Sequence, residues 1–383
     1  MAKHLQNTSR SKYVPYQLKD VNAASENALF TVVSTFAGGG GSSTGYKLAG
    51  GKIIFANEFI PAAIDTYTQN YPETPVITSD IRKLNRSKGS VEKLFAKYGV
   101  QKNALDIFDG SPPCATFSKS SGGKGKDKLT MKNVAYSDTR QDCIGMLIHD
   151  YVFMATVMQP KVCVMENVPD ISRSEVFQDA LARLRRWGYL VNYKDLTASD
   201  YGVPQKRQRL FIIAIRSDIA KAAAIKSESD VLNVFPEPQG GVVTLLAGLA
   251  GVEVDPHERD TLLSKARLSA NYEILKQLRL DPPSPIKPSQ IGWNSDFNLV
   301  RAAWNSPCPT ITQSMAQRSG IMHPVENRKF TIAELKRITS LPDDFMLSGT
   351  WEQRVERIGR MVPPLLTKAV AQSVYEKVLK RAA

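Results

Sequence analysis

A cysteine that follows two prolines is the side chain best placed for covalent chemistry. The segment reads Asp109-Gly-Ser-Pro-Pro-Cys114, and it comes directly after an apolar run that predicts a strand. A thiolate can attack an electrophilic carbon, and the two prolines stiffen the backbone that carries it. Most free cysteines are buried structural residues, so the position of Cys114 at a strand end is what singles it out.

Acidic and basic side chains flank two further predicted strands. Glu166 closes an apolar run and is followed by Asn and Val; such a glutamate is often only a cap, but here it would join Cys114 at one sheet edge. Gln205-Lys-Arg-Gln-Arg209 leads into the next run. Alternation along an extended chain predicts that Arg207 and Arg209 point to the same side, where they form either a solvated edge or a clamp on a phosphate or base oxygen.

A glycine-rich turn and two acids predict a nucleoside cofactor. Phe36-Ala-Gly-Gly-Gly-Gly41 follows the first apolar run, and glycines there allow backbone amides to approach a ligand. Glu58 ends the second run, where an acid commonly accepts from ribose hydroxyls. Asp80, followed by Ile81, is placed like an acid at the end of a third strand, where it could accept from an adenine amine. These residues do not separate a methyl donor from a nicotinamide.

The elements that must position these residues alternate between strand and helix. Apolar runs at 31–35, 52–56, 104–109, 161–166 and 210–215 predict strands, with amphipathic helices such as 141–158 and 177–187 between them. This order predicts an α/β fold with a doubly wound parallel sheet, which binds ligands at the carboxyl ends of its strands. After residue 216 prolines cluster and periodicity weakens, which predicts a second, smaller and irregular domain; helices return at 331–340 and 365–380.

The composition favours a polyanionic partner. The 383 residues carry a formal net charge of +13, with 42% hydrophobic and 23% charged residues. Nucleic acid or an acidic membrane surface would suit such a charge, but we expect no membrane association because no stretch approaches the length of a span. Four cysteines without a Cys-x-x-Cys pair and only four histidines predict no metal site. We expect a cytoplasmic protein with free thiols.

The order of these motifs resembles the cytosine-C5 DNA methyltransferase family, of bacterial or phage type. The glycine turn, Pro-Cys, Glu-Asn-Val and Gln-x-Arg-x-Arg follow one another as in that family, and the tail segments 328–345 and 359–364 resemble its last two motifs. The resemblance implies a Rossmann-like catalytic domain over 28–216 that is completed by 356–383. It also implies a target-recognition domain over 217–330 and a hinge segment over 331–355.

The family's chemistry implies a role for each matching residue. Cys114 would add to carbon 6 of cytosine, Glu166 would bind N3 and the exocyclic amine, and Arg209, with Arg207 close by, would hold O2. The cofactor would be S-adenosylmethionine, and its pocket would be lined by Phe36, Gly38, Gly40, Gly41, Glu58, Phe59, Asp80, Ile81 and Pro113. The cytosine would be flipped out of double-stranded DNA. The resemblance also implies a monomer that acts at the nucleoid as part of a restriction-modification system.

We expect DNA contacts from a lysine-rich segment and from the second, smaller domain, with Gln205 between them in the sequence. The segment 119–132 has five lysines against one aspartate and several glycines, which predicts a lid over DNA, although a solvated loop is the alternative. Residues 217–327 should read the target, with Trp293, Asn294, Thr310 and Gln313 among the candidates. The predicted DNA-binding residues are Ser118, Lys124, Lys126, Lys128, Arg140, Gln205, Arg301 and Thr312.

Two residues depart from the family pattern, and three other functions stay open. Arg360 stands where the family usually has Asn, and Ala115 where Gln is common after the cysteine. A tRNA methyltransferase of the same fold is one alternative, although the Cys-Phe-Thr element of that branch is absent from this sequence. A DNA-binding protein that has lost catalysis is another. A nicotinamide oxidoreductase is the third, and it explains neither the Pro-Cys turn nor the charge.

Overall fold

The computed structural model describes residues 12–113, 146–296, 298–316 and 320–383. The chain divides into two compact units. The sheet unit comprises Lys19–Leu196, Gln208–Pro236 and Thr367–Ala383, and the second unit comprises the residues up to Leu18, Thr197–Arg207 and Glu237–Leu366. The domain limits that the family resemblance implies stay a prediction.

Seven strands form the sheet of the first unit. They are β1 (Phe30–Thr35), β2 (Gly51–Asn57), β3 (Val76–Ile77), β4 (Ile107–Gly110), β5 (Val162–Asn167), β6 (Tyr189–Thr197) and β7 (Gln208–Arg216), in the order β3-β2-β1-β4-β5-β7-β6. β1 to β5 pair in parallel, whereas β7 is antiparallel to β5. The parallel arrangement predicted from the apolar runs is therefore correct for the first five strands and wrong for β7, because a buried run has the same composition in either direction.

Helices cover both faces of this sheet. Its helices are Leu18–Ser25, Gly41–Leu48, Pro61–Asn70, Ile81–Leu84, Lys88–Lys97, Leu147–Met158, Glu175–Arg186, Ser217–Ala222, Glu228–Val231, Pro364–Val374 and Lys380–Ala382, with a π-helical turn at Tyr375–Leu379. Val33, Phe55 and Phe108 belong to the core on one face. The alternate residues Val32 and Ile107 are buried as well, as expected for a sheet covered on both sides. The predicted Rossmann-like α/β fold is confirmed.

In the described part of the chain, the second unit has five helices and four strands of two or three residues. Its helices are Leu245–Gly248, Pro256–Arg267, Tyr272–Gln277, Ile332–Ile338 and Trp351–Arg360. Single turns of 3-10 helix in the chain lie at Pro169–Arg173, Ala198–Tyr201, Leu232–Val234, Pro288–Ile291 and Gln313–Ala316. Gln205–Lys206 pairs in parallel with Cys308–Pro309, and Leu299–Arg301 pairs with Gly320–Met322. No helix among the described residues is long and apolar enough to cross a membrane.

Candidate active site

The carboxyl ends of β1, β2, β4 and β5 meet at one edge of the sheet. Thr35 lies opposite Asn57 of β2 and Gly110 of β4, and Gly110 lies opposite Met165 of β5. Because the strands are parallel, the segments that follow them emerge together. The glycine turn, the acid at 58, the Pro-Pro turn and Glu166 therefore belong to one edge.

The Pro-Pro turn is held by the asparagine that follows Glu166. Asn167 is buried, and its Nδ2 donates to the carbonyl oxygen of Pro112 at 3.0 Å. Below the turn, the hydroxyl of Tyr151 donates to the carbonyls of Phe108 in β4 and Val164 in β5. The backbone leading to position 114 is thus fixed to β5, while Cys114 itself lies outside the described residues.

Glu166 and Arg209 form an ion pair at this edge. Arg209 Nε lies 2.8 Å from Glu166 Oε1, and the two side chains are 15% and 10% exposed. Burial lowers the pKa of Arg209, and the adjacent carboxylate of Glu166 partly offsets this. Since Leu210 of the antiparallel β7 lies opposite Asn167, the start of β7 falls where β5 ends. The reversed direction of β7 is therefore what brings Arg209 to Glu166.

Arg207 has different partners from Arg209. Its two terminal nitrogens donate to the main-chain carbonyls of Ile311 (2.8 Å) and Gly359 (2.9 Å), all within the second unit. Gln205, which is fully buried, accepts from the amide of Ile311 through Oε1. The strand is interrupted at position 207, so the alternation that predicted a common side for the two arginines does not run through it. These contacts do not support a catalytic role for Arg207 or a DNA contact for Gln205, and both roles stay predictions.

The glycine turn leaves space at one position in particular. Gly38 has φ +55°, and a Cβ built on it would meet nothing within 4 Å. Gly40, at φ +98°, packs instead against the rings of Tyr67 and Tyr71 and precedes the helix that Gly41 begins. Phe36 also has a positive φ, of 53°, which is unusual for a bulky residue and marks a constrained turn. The turn can therefore admit a ligand next to the backbone of Gly38.

Glu58 is bound by main-chain amides of its own edge. Its two carboxylate oxygens accept from the amides of Gly38 (2.8 Å), Phe59 (2.7 Å) and Ile60 (2.8 Å). The carboxylate therefore lies directly against the backbone of the glycine turn at Gly38. Phe59 and Pro113 are half-buried, so both keep some exposed surface.

Asp80 begins a short helix rather than ending a strand. Its carboxylate accepts from the amide and the guanidinium of Arg82, and β3 has already ended at Ile77. Burial raises the pKa of Asp80, but the hydrogen bonds and charge of Arg82 outweigh it and hold the pKa below its ordinary value. Ile81 is buried in the core of the sheet unit. The roles of these two residues in the cofactor pocket stay predictions.

Asp109, for which the motif predicted no role, has a buried carboxyl at the end of β4, before the Pro-Pro turn. Asp109 accepts from the hydroxyls of Ser34 (2.6 Å), Tyr46 (3.0 Å) and Ser42 (3.4 Å). Burial raises the pKa of Asp109 to about 7, although these hydrogen bonds oppose the shift. The carboxyl thus joins the end of β1, the helix after the glycine turn and β4. An aspartate inside an otherwise apolar strand was the available signal.

The predicted DNA-binding residues differ in their surroundings. Arg301 is fully buried and donates to the carbonyls of His323, Glu326 and Leu275 and to Asn327, which favours a structural role. Thr312 is partly exposed. Ser118, Lys124, Lys126, Lys128 and Arg140 lie outside the described residues, as does the rest of the lysine-rich segment. In the described part of the chain, no group of three or more His, Cys, Asp or Glu side chains could hold a metal ion.

Comparison with known proteins identifies the family of this chain. The family model for C-5 cytosine-specific DNA methylase matches residues 30–376. The type II methyltransferase M.DdeI of Desulfomicrobium norvegicum is 30% identical, over 90% of this chain and 88% of its own length. M.Eco47II of Escherichia coli, another type II methyltransferase, is 29% identical over 93% and 82%.

Solved structures share the fold at lower identity. A putative DNA modification methyltransferase encoded within an E. coli prophage superposes with a TM-score of 0.65 at 20% identity, covering 92% of this chain and 99% of that one. A DNMT2 mutant of Spodoptera frugiperda gives 0.58 at 16% identity, over 90% and 99%. Since the family model spans nearly the whole sequence, the chain belongs to the C-5 cytosine-specific DNA methylase family, as the order of its motifs predicts.

Proposed function

We propose that this protein methylates carbon 5 of cytosine in a specific short sequence of double-stranded DNA, with S-adenosylmethionine as the methyl donor. The observation that carries the proposal is the pairing of Glu166 with Arg209 beside the turn that Asn167 anchors. A carboxylate and a guanidinium placed side by side match the N3, amine and O2 edge of cytosine.

The glycine turn fits the nucleoside part of the donor. Gly38 faces open space, and Glu58 lies against it, fixed by three amides. Phe36, Gly40, Gly41, Phe59, Asp80, Ile81 and Pro113 complete the proposed pocket. When bound, the donor supplies an electrophilic methyl group.

The residues proposed at this edge would each act on a different part of the base. Cys114, as the thiolate, adds to carbon 6, which makes carbon 5 nucleophilic. Glu166 accepts from the exocyclic amine, and from N3 once N3 has taken up a proton from solvent, so it favours that protonation as the thiolate adds. Arg209 holds O2 and keeps the Glu166 carboxylate oriented. After carbon 5 takes the methyl group and the donor leaves as its sulfide, loss of the protons from carbon 5 and N3 to solvent, with departure of the Cys114 thiolate, restores the aromatic ring.

The base must leave the duplex for this chemistry. Thiol addition needs access to the face of the ring, which stacking blocks, so the cytosine is flipped out at a cost of a few kcal/mol. Lys124, Lys126 and Lys128 belong to the segment 119–132 that we propose to close over the DNA, and Ser118 and Arg140 flank it. The chain carries +13 overall, and residues 183–216 have eight basic side chains against two acidic ones, which favours a polyanion.

We place this activity in the cytoplasm, at the nucleoid, where the substrate lies. The type II names of the relatives support a role in a restriction-modification system. One subunit contains every proposed catalytic residue, so we propose that a monomer is active.

The decisive experiment is covalent trapping. Duplex DNA that contains 5-fluorocytosine cannot lose a proton from carbon 5, so the wild-type protein should accumulate a denaturation-resistant adduct. Cys114→Ser should form none and should still bind DNA. Cys163→Ala is the matched control, because Cys163 is buried in the core and burial raises its pKa to about 12. An adduct with Cys114→Ser, or methylation of tRNA in place of duplex DNA, would overturn the proposal.

A further inference from the structure

In the second unit, the main-chain amide and the main-chain carbonyl of Ile311 are both bound by side chains of the short segment 205–207. Gln205 Oε1 accepts from the amide of Ile311 at 3.1 Å, and Arg207 donates to the Ile311 carbonyl at 2.8 Å. Gln205 and Arg207 are 0% and 2% exposed. Two large polar side chains are therefore buried with hydrogen bonds to the main chain of Ile311.

The same segment is attached along its length. Gln205–Lys206 pairs with Cys308–Pro309, and Thr310 donates from its hydroxyl to the carbonyl of Lys206 at 2.7 Å. Ile311 itself is fully buried. Such dense hydrogen bonding fixes the backbone conformation of 308–311.

The helix Trp351–Arg360 packs against the same backbone segment. Arg207 reaches the carbonyl of Gly359 with its second terminal nitrogen at 2.9 Å. A Cβ on Gly359 would lie 2.4 Å from the amide nitrogen of Gln313 and from the carbonyl carbon of Thr312, so only glycine fits. The guanidinium thus bridges two backbones, which its planar fork can do and a lysine cannot.

What this arrangement presents is a short polar edge. Between the buried Ile311 and Met315, the side chains of Thr312, Gln313 and Ser314 are partly exposed. Lys329 binds the carbonyls of Met315 and Ala316 at 2.9 and 3.0 Å and so fixes the far end. Polar side chains on a backbone held at both ends are preorganised for recognition, because little freedom is lost when they bind.

We infer that Gln205 and Arg207 are positioning residues that hold 310–316 in shape, so that Thr312 and Gln313 meet the DNA and help to set which sequence is methylated. This rests on the proposed function. It assigns to the first half of Gln-x-Arg-x-Arg a role in target choice, while Arg209 serves the base.

The test compares Arg207→Lys with Arg337→Lys. Arg337 is also buried and also donates to two main-chain carbonyls, of Gly248 and Ala250, in the same unit but away from 310–316 in its bonding. Both variants and the wild type are expressed in a bacterial host that lacks cytosine methylation. Bisulfite sequencing of the host DNA then gives the methylated sequence for each protein.

Arg207→Lys should methylate sites that differ from the wild-type target by one base, with discrimination reduced roughly tenfold. Its KM for target duplex should rise while its KM for S-adenosylmethionine does not, and amide hydrogen exchange should quicken at 310–316. Arg337→Lys should keep the wild-type target even if its Tm falls as far. If Arg207→Lys does not fold, Gln205→Met removes the bond to the Ile311 amide and should show the same relaxation.

The outcomes separate the two proposals. A wild type that methylates no cytosine in duplex DNA would overturn the proposed function and this inference together. A wild type with a defined target, and an Arg207→Lys variant with the same target and the same KM for DNA, would overturn this inference alone. Equal relaxation in Arg337→Lys would also overturn it, because the effect would then follow from lost stability.

Discussion

Arg209 Nε lies 2.8 Å from Glu166 Oε1, across the junction of two strands that run in opposite directions. Each residue neutralises the other in a place that is mostly shielded from water. Removing one partner leaves the other charge buried and unpaired, which is costly. The pair should therefore affect both stability and turnover.

For Arg209→Ala we expect kcat to fall by about 100-fold, the usual effect of losing one donor to a developing charge. The free energy of unfolding should fall by about 2 kcal/mol, less than for a fully buried pair because some exposure remains. Steady-state kinetics and urea unfolding measure the two effects. Arg183→Ala, which removes an exposed pair with Asp179, should change neither appreciably. An Arg209→Ala variant with wild-type kcat would contradict the proposed role.

Gly38→Ala should weaken donor binding. The residue has φ +55° and faces open space, so a methyl group strains the backbone by about 1–2 kcal/mol and fills the proposed pocket. Gly99 is the matched control, since it has φ +76° and also meets nothing within 4 Å. Calorimetric titration with S-adenosylmethionine should give a Kd raised about tenfold or more for Gly38→Ala and unchanged for Gly99→Ala. Equal Kd values in the two variants would show that Gly38 does not line the donor pocket.

Asp109→Asn should change how stability depends on pH. Burial raises the pKa of Asp109 from 3.8 to about 7, so in this window the folded state holds a proton that the unfolded state has lost. The contribution of Asp109 to the free energy of unfolding therefore falls as pH rises from about 4 to about 7. Asparagine resembles the protonated acid and should remove that slope.

The readout for Asp109 is the difference between two curves. Urea unfolding of wild type and Asp109→Asn from pH 4 to 8 should show the variant gaining stability relative to wild type as pH rises. Asp65→Asn, at an exposed position of helix Pro61–Asn70, should follow the wild-type curve. Parallel curves for wild type and Asp109→Asn would mean that the carboxyl has the same pKa in both states.

The sequence predicted the central strands well because their surroundings are uniform. β1, β4 and β5 are buried on both faces, so they read as continuous apolar runs whose limits fall within three residues of the structure. A third strand was expected before Asp80, but no apolar run located it, because the two residues of β3 carry no period. β6 was missed because only Tyr189, Val191 and Leu196 of its nine residues are buried. The direction of β7 was also predicted wrongly, because nothing in its composition shows that it runs antiparallel to β5.

Which residues lie at the shared edge of the sheet was predictable where motif and strand end coincide, as for Glu166 and Glu58. The hydrogen-bond partners of a side chain were not predictable where it binds backbone. Arg207 was expected beside Arg209 on the strength of alternation, but the chain leaves one strand pairing at Lys206 and enters another at Gln208. Arg301 was expected at the DNA as a polar residue of the predicted target-recognition region; its guanidinium binds four oxygens inside the unit. Carbonyl partners leave no pattern in the sequence.

The lysine-rich segment should contribute salt-dependent affinity without contributing specificity. Each phosphate neutralised by a lysine releases counterions, which adds roughly 0.9 to the slope of log affinity against log salt for duplex DNA. Replacing Lys124, Lys126 and Lys128 with alanine should therefore flatten the slope by up to about 3 units, and slow methylation if closure assembles the site. The methylated sequence should not change, because phosphate contacts position the DNA and do not read it.

Replacing the exposed Lys93 and Lys97 of helix Lys88–Lys97, together with Lys102, removes the same charge elsewhere and controls for the overall field. Binding curves across a salt series distinguish the two: a slope that falls equally in both triple variants would assign the effect to net charge, and an unchanged slope in the first would exclude contact between these lysines and DNA.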